Sequence, residues 1–447
     1  MCSSDLDPSL GGVCLNRGCI PSKALLHASE VLKEAESADE MGISFSKLSI
    51  DIDKMRTWKD SVIGKLSGGI EGLAKRRGVE VIYGRGHFEE SQLLRVETEK
   101  GQQFVSFEKA IIAVGSKPAL PAVFDLGNPR ILTSTEALNI PEIPKKMLIV
   151  GGGYIGMELG VVYSSLGANV VMVEAMPRIL NGCDADLARP VKQFAEKNFE
   201  ELRLDAKVTK TATSGKKIKV NMTFKGEEIE ELYDYVLVSV GRVPNSKDLG
   251  LENTSAETDE KGFIKVNDHQ QTQDANIYAI GDIAGGLLLA HKAAKEARIA
   301  VENILGEPVS SKDIVIPAVV FTKPEVAWCG LTEEEAKEKG IAVKVSKFPW
   351  GASGRALTMN NSNGVTKLII EPETERILGV GIAGKHAGDL IGEGVLAVEL
   401  GITVKDLAEV VHPHPTLSET LMECAEAFYG LATHIHTPKK KTLEPVS

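Results

Sequence analysis

The chain has 447 residues, a length that at roughly 100 to 200 residues per domain means about three domains and ample buried core. Its 43% hydrophobic and 25% charged residues are those of an ordinary globular protein and exclude a wholly disordered or collagen-like chain. A net charge of −11 argues against a nucleic-acid surface, and the apolar stretch 147–173 is interrupted by glycines and Glu158, so it offers no clean run of about 20 apolar residues for a membrane span.

In chain order, the apolar residues of KALLHASEVLKEAE recur at helical spacing from Pro21, which puts Cys14 and Cys19 at the entry to a helix. A second helix is expected around 55–77, then short strands in VEVIYGRG, LLRVET and KAIIAVG that end at Gly115 and Ser116. Residues 118–144 are rich in proline and read as a linker. The strand MLIVGGG, a helix over about 155–166 and the strand NVVMVEA form a βαβ unit with the expected right-handed crossover. Beyond it lie KIKVNMTF, DYVLVSVG, the motif Gly241-Arg-Val-Pro-Asn245, the strand and turn IYAIGD at 277–282, and a helix over about 291–305. From about Ile314 the strands KLIIEP and ILGVGIAG alternate with helices. The chain closes through HPHPTLSETLMECAEAF and a lysine run at 439–441 that reads as a solvated tail. There is no tandem repeat or low-complexity segment, and the alternation of β and α points to an α/β class with parallel sheets.

Three constellations carry chemistry. Six cysteines are too few for a disulfide scaffold, and no secretory leader is visible in 1–12, so a reducing, cytoplasmic setting is expected. In Cys14-Leu-Asn-Arg-Gly-Cys19 a helix N-terminus should favour the thiolate that exchanges with disulfides. Two buried structural cysteines, or half a zinc site, remain alternatives, although no second ligand pair follows at zinc spacing. Gly151-Gly-Gly153-Tyr-Ile-Gly156-Met-Glu158 lies between a strand and a helix, where backbone amides and the helix dipole can hold a pyrophosphate. About twenty residues on, Glu174 is placed to accept from a ribose 2′-hydroxyl and to repel a 2′-phosphate, so NAD is favoured over NADP. In His412-Pro-His414-Pro-Thr-Leu-Ser-Glu419 a carboxylate could orient a histidine for proton transfer. Thr416-x-x-Glu419 also reads as a plain capping box for the last helix.

Together these segments resemble the dihydrolipoamide dehydrogenase branch of the class I pyridine nucleotide-disulfide oxidoreductases, which also hold glutathione and mercuric reductases. GGVCLNRGCIPSKALL resembles the redox-disulfide motif, GGGYIGMELG with VEA the NAD site, IYAIGD followed by LLLAHKA the second flavin motif, and HPHPTLSE the acid-base motif. The resemblance covers nearly the whole chain. It implies two nested doubly wound domains for FAD and NAD and a C-terminal α+β dimerisation domain, with boundaries at 1–117 (FAD), 118–244 (NAD), 245–312 (central, completing the FAD site) and 313–447 (dimerisation). It also implies that Cys14 attacks the substrate disulfide and Cys19 faces the flavin. By the same resemblance Lys23 lies beside the flavin ring, Asp282 holds the ribityl chain, and Leu288, Leu289, Ala290 and His291 offer backbone amides to the pyrimidine edge. Gly86 and Gly115 match positions near the adenosine half of FAD. Gly151, Gly153, Gly156, Glu158, Glu174, Val208 and Gly241 match the NAD site. His414, oriented by Glu419, would be the acid-base and would serve the disulfide of the other subunit of a homodimer.

The implied activity is oxidation of protein-bound dihydrolipoyl groups by NAD+ through the cysteine pair and FAD. The implied partners are lipoyl domains of 2-oxo acid dehydrogenase complexes or a glycine cleavage carrier protein, with no nucleic acid, membrane or metal. Some positions depart from the pattern: AVGS stands for ATGS, His-Pro-His for His-Ala-His. Tyr154 is found at this position in glutathione reductases, which keeps an NADPH-dependent disulfide reductase as an alternative, while Glu174 weighs against it. Mercuric reductase needs a C-terminal cysteine pair, and only Cys424 is available. The family opens with its own strand, GxGxxG loop and acidic strand end for FAD, whereas this chain begins MCSSDLDPSL and is already at the cysteine motif. Residues 1–9 therefore read as an abnormal or truncated start, which also makes a non-catalytic subunit of a 2-oxo acid dehydrogenase assembly an alternative.

Overall fold

The computed structural model describes residues 2–3, 9–46 and 48–436, so the lysine run and most of residues 1–9 lie outside the described residues. The chain forms two compact units that interleave in sequence: Met1–Gly151, Val162–Val173 and Ala206–Asp313 in one, Gly152–Val161, Glu174–Asp205 and Ile314–Ser447 in the other.

In the first unit, the strands Asn169–Val173, Lys146–Val150, Tyr235–Val238 and Ile131–Leu132 lie side by side in that order, all parallel. Met147, Leu148 and Ile149 are successive residues and all fully buried, the pattern of a parallel strand covered on both faces. Lys217–Phe224 instead alternates, with Ile218, Val220 and Met222 inward, because it is the middle of an antiparallel set with one solvated face. Its neighbours, Lys207–Ser214 and Glu227–Tyr233, escape a sequence reading because lysines, threonines and glutamates dominate them. Residues 118–144 are more than a linker. Ile131–Leu132 extends the parallel sheet, and Thr133 and Glu136 close a capping box on the turn of helix that follows. Ahead of the nucleotide unit, Cys19–Ser37 and Ile52–Arg76 form the long helices, and Ala110–Ile112 pairs parallel with Ile277–Ala279.

The second unit is built on an antiparallel sheet in the order Ala318–Val320, Glu325–Gly330, Ile377–Gly384, Val365–Ile370, Lys344–Pro349. Helices Ala387–Glu399 and Glu419–Tyr429 cover it around Trp350, Phe348, Leu368, Ile382 and Leu421. Here an α+β arrangement replaces the parallel pattern of the first unit. Asp184, Asp186 and Glu333 converge closely enough to suggest a cation site, but the Lys367 ammonium occupies the centre, 2.6 Å from Asp184 and 3.0 Å from Asp186 and also bonded to Glu333. Among the described residues no helix is long and apolar enough to cross a membrane.

Candidate active site

The cysteine motif folds as two helices, Gly12–Arg17 and Cys19–Ser37, broken at Gly18. A Cβ on Gly18 would stand 2.9 Å from the Val13 carbonyl oxygen and 3.2 Å from the Cys14 Cα, so only glycine permits the tight break that returns Cys19 to Cys14. Both cysteines are thiols and half-buried. The Cys14 thiol is pushed well above its ordinary range by its hydrogen bond with Cys19, then by burial, with Lys23 pulling the other way. For Cys14 this runs against the expectation of a helix-activated thiolate. Cys14 sits inside the short first helix, and two adjoining sulfurs cannot both ionise cheaply; the first residue of the long helix is Cys19.

The glycine-rich loop follows strand Lys146–Val150 and opens helix Tyr154–Ser165, so Gly156 and Glu158 lie within the helix. Gly151 has φ +108, and a Cβ there would stand 2.5 Å from the Ser239 carbonyl oxygen. Gly153 faces open space, the clearance a pyrophosphate needs. Glu174 is buried and accepts from the Gly152 amide at 2.6 Å and the Met176 amide at 2.8 Å. A carboxylate offers about four acceptor positions, so capacity for a ribose hydroxyl remains. Glu158, also buried, accepts from the Phe321 amide at 3.0 Å. Val208 packs in the core of the first unit, and Gly241 has φ +131.

Asp282 lies in a single turn, Gly281–Ala284, that follows strand Ile277–Ala279. Ser116 donates to Asp282 Oδ2, and Arg242 grips Ser116 at Oγ and at its carbonyl oxygen, each 2.6 Å away. The adjacent Gly281 amide donates to Glu296 Oε2 at 2.7 Å, and Glu296 is paired with Lys292 at 2.5 Å. Asp282 Oδ1 has no partner among the described residues, which leaves one oriented acceptor for a ribityl hydroxyl. Gly115, with φ +68, faces open space, and Gly86 lies in strand Arg85–Glu90. Ala290 and His291 open helix Ala290–Ile304, whose first turn offers amides the helix does not pair. The Leu289 amide instead donates to Leu287, and Leu288 precedes it in the same approach.

The two histidines of the last motif have different fates. His412 is 5% exposed and bonded at both ring nitrogens, to Val410 and Glu393, whereas His414 is 70% exposed and, among the described residues, bonded only at Nδ1, to Glu419 Oε1 at 2.8 Å. Glu419 Oε2 accepts from the Thr416 amide at 2.6 Å. Burial alone would raise the Glu419 carboxyl, but these two bonds hold it below the ordinary range. The capping-box reading is half right. Thr416 lies three residues ahead of the first helical residue, and its hydroxyl turns to Pro413 and Ser418 instead of a helix amide.

The sequence matches the family model described as pyridine nucleotide-disulphide oxidoreductase over residues 5–297, and the dimerisation domain of that family over 316–425. The chain belongs to the pyridine nucleotide-disulphide oxidoreductase family. It is 44% identical to a dihydrolipoyl dehydrogenase of Vibrio cholerae over 97% of this chain and 91% of that protein, and 43% identical to one of Bacillus subtilis over 96% and 91%. Among solved structures it resembles LpdA from Mycobacterium tuberculosis, at 26% identity, TM-score 0.87 and coverage of 94% and 92%. It also resembles the HOCl-induced flavoprotein disulfide reductase RclA from Escherichia coli, at 28% identity, TM-score 0.83 and coverage of 94% and 92%. As a member of this oxidoreductase family it uses FAD and NAD(H) and is a homodimer.

Of the motif Gly241–Asn245, sequence reading assigned a role to Gly241 alone. In the structure Arg242, Val243 and Pro244 pair antiparallel with Pro118, Lys117 and Ser116, and Asn245 bonds the Val114 and Gly115 carbonyl oxygens. The segment is thus the other half of the AVGS turn, and Arg242, Ser116 and Glu296 are the residues that aim Asp282.

Proposed function

We propose that the chain catalyses dihydrolipoyl oxidation by NAD+, with the cysteine pair as electron relay and His414 as acid-base. The observation that carries this is the pair itself: two cysteine thiols in hydrogen-bonding contact beside Lys23, in a chain whose relatives are dihydrolipoyl dehydrogenases. With Cys14 and Cys19 joined as a disulfide, a dihydrolipoyl thiolate attacks Cys14 Sγ and Cys19 leaves as a thiolate. His414 Nε2 takes the proton of the second lipoyl thiol, whose sulfur then attacks the lipoyl sulfur of the mixed disulfide. That closes the lipoyl ring and returns Cys14 as a leaving thiolate. The two electrons now held by the cysteines match what FAD passes on to NAD+.

The residues fit both cofactors. Lys23, Gly86, Gly115, Asp282 and the 288–291 turn would hold FAD; Gly151, Gly153, Gly156, Glu174, Val208 and Gly241 would hold NAD, with Glu158 fixing the helix behind them. Ser116 holds Asp282 Oδ2 before any ligand arrives, so the ordering cost of binding falls on fewer groups. The domain boundaries 1–117, 118–244, 245–312 and 313–447 follow these roles. Partners are lipoyl-bearing carrier proteins, and the setting is cytoplasmic. The test is purified protein with dihydrolipoamide and NAD+ set against glutathione disulfide and NADPH. Turnover in the first mixture alone is expected; turnover confined to the second would overturn the reading.

A further inference from the structure

We propose that Glu334 is a specificity-determining residue that acts by locking Arg178 away from the nucleotide. In Rossmann folds an arginine near the ribose acid is what accommodates a 2′-phosphate. This chain has such an arginine, four residues after Glu174 in the loop that returns against the glycine turn. The Leu180 amide donates to the Gly152 carbonyl oxygen at 3.0 Å, and the Ile179 side chain packs where a Cβ on Gly152 would reach. Arg178 is therefore held one residue from the turn that receives the pyrophosphate.

All three of its guanidinium nitrogens are bonded elsewhere. Nη1 and Nη2 bind the two carboxylate oxygens of Glu334 side by side, and Nε donates to Asn181 Oδ1 at 3.1 Å. The Glu334 bonds push the Arg178 group further above its already high range. A bidentate fork of this kind fixes geometry as well as charge. Glu334 is itself anchored. It lies in the first turn of helix Glu333–Lys339, behind a Thr332–Glu335 capping box, and its amide donates to Asp184 Oδ1 at 3.3 Å. Discrimination against a 2′-phosphate then has two layers: the Glu174 carboxylate repels it, and the one cation of the 174–181 loop is neutralised and turned aside by Glu334.

This inference rests on Glu174 being the ribose acid. The experiment measures the affinities of 5′-ADP and 2′,5′-ADP by calorimetry on the intact enzyme, together with the NAD+ and NADP+ kinetics. Glu334→Ala should raise relative affinity for 2′,5′-ADP roughly tenfold, the worth of one charge-assisted phosphate contact, with 5′-ADP affinity changed less than about twofold. Glu334→Lys, which also repels Arg178, should do at least as much, and covers the case in which the alanine variant is poorly folded. Adding Arg178→Ala to either variant should abolish the gain. An unchanged ratio in both variants, or a gain that survives loss of Arg178, overturns the lock. Failure of the underlying reading looks different: Glu174→Gln would then leave both 5′-ADP affinity and the ratio untouched.

Discussion

Replacing Glu419 by its isosteric amide should damage the enzyme more than truncating it to alanine. The carboxylate serves two donors at once. Oε1 accepts from His414 Nδ1, and Oε2 accepts from the Thr416 amide at 2.6 Å. Because the group is held ionised, it is an acceptor only, so Nδ1 must carry the proton and Nε2 must carry the lone pair that accepts one from substrate. Glutamine has a single acceptor oxygen for these two donors. If that oxygen stays with Thr416, the amide NH2 faces Nδ1, selects the opposite tautomer and leaves Nε2 protonated, and the base is gone. If it turns to Nδ1, the NH2 meets the Thr416 amide and the local turn loses a bond of about 1 kcal/mol. The first arrangement leaves the imidazole hydrogen-bonded, so Glu419→Gln should lose roughly 10² to 10⁴ in kcat for dihydrolipoamide, the range for a missing acid-base. Glu419→Ala releases the imidazole to sample both tautomers and should lose less rate, with a melting temperature lowered by the missing turn bond. His414→Gln sets the lower bound of activity. The assay is steady-state NAD+ reduction by dihydrolipoamide for the three variants, with thermal melts alongside. Glu419→Gln retaining more activity than Glu419→Ala would refute the tautomer argument.

Cys14→Ser and Cys19→Ser should each abolish dihydrolipoamide turnover while sparing NADH-dependent dye reduction, measured side by side. In Cys19→Ala the chief cause of the raised Cys14 thiol is removed, so the pH midpoint of Cys14 alkylation by iodoacetamide should fall; an unchanged midpoint would assign the shift to burial. Lys367→Met should destabilise by about 3 kcal/mol, since it leaves buried Asp184 without its cation while Lys347 still pairs with Asp186 and Glu333, read by denaturant unfolding through Trp328 and Trp350. Burial would lower Lys367 but its carboxylates raise it, so its contribution is complete below about pH 10.4, the unfolded lysine value, and fades as pH climbs through the folded one. Burial would raise Asp186 but its lysines lower it, so that stabilisation is present above about pH 3.9, the unfolded aspartate value, and is lost as pH falls. The deficit of the variant should therefore hold from neutral pH down to about pH 3.9 and shrink only below it, where the Asp186 stabilisation is lost. Arg242→Met should lower bound flavin absorbance per chain, because Ser116 and Asp282 lose the cation that orders them.

The parts of the site legible in the sequence are those whose chemistry is local. The glycine turn with Glu174, and the pair His414 and Glu419, each complete themselves within one βαβ unit or one turn, so spacing carries the geometry. The cysteine pair is local too, yet the electrostatics of Cys14 were misread. Helix position suggested an easy thiolate, while the decisive neighbour was the other sulfur, brought close by Gly18. Two-residue strands such as Ile131–Leu132 leave no period to detect, which is why a sheet edge passed for a linker.

What stayed hidden is the support behind each reactive group. Ser116 meets Arg242 across 126 residues and Asp282 across 166, and Arg178 meets Glu334 across 156. No periodicity or spacing rule links positions so far apart. The only trace was that Gly241–Asn245 read as a motif in which only Gly241 had a task. A motif that local chemistry cannot explain is what a non-local partner leaves in a sequence, since residue types at such a position answer to a strand elsewhere. The same reasoning applies to Glu334. By local rules it is one of three glutamates that suit a helix start, and their shared suitability for the dipole conceals that each has its own partner: Glu333 takes Lys367, Glu334 takes Arg178, and Glu335 closes the cap on Thr332.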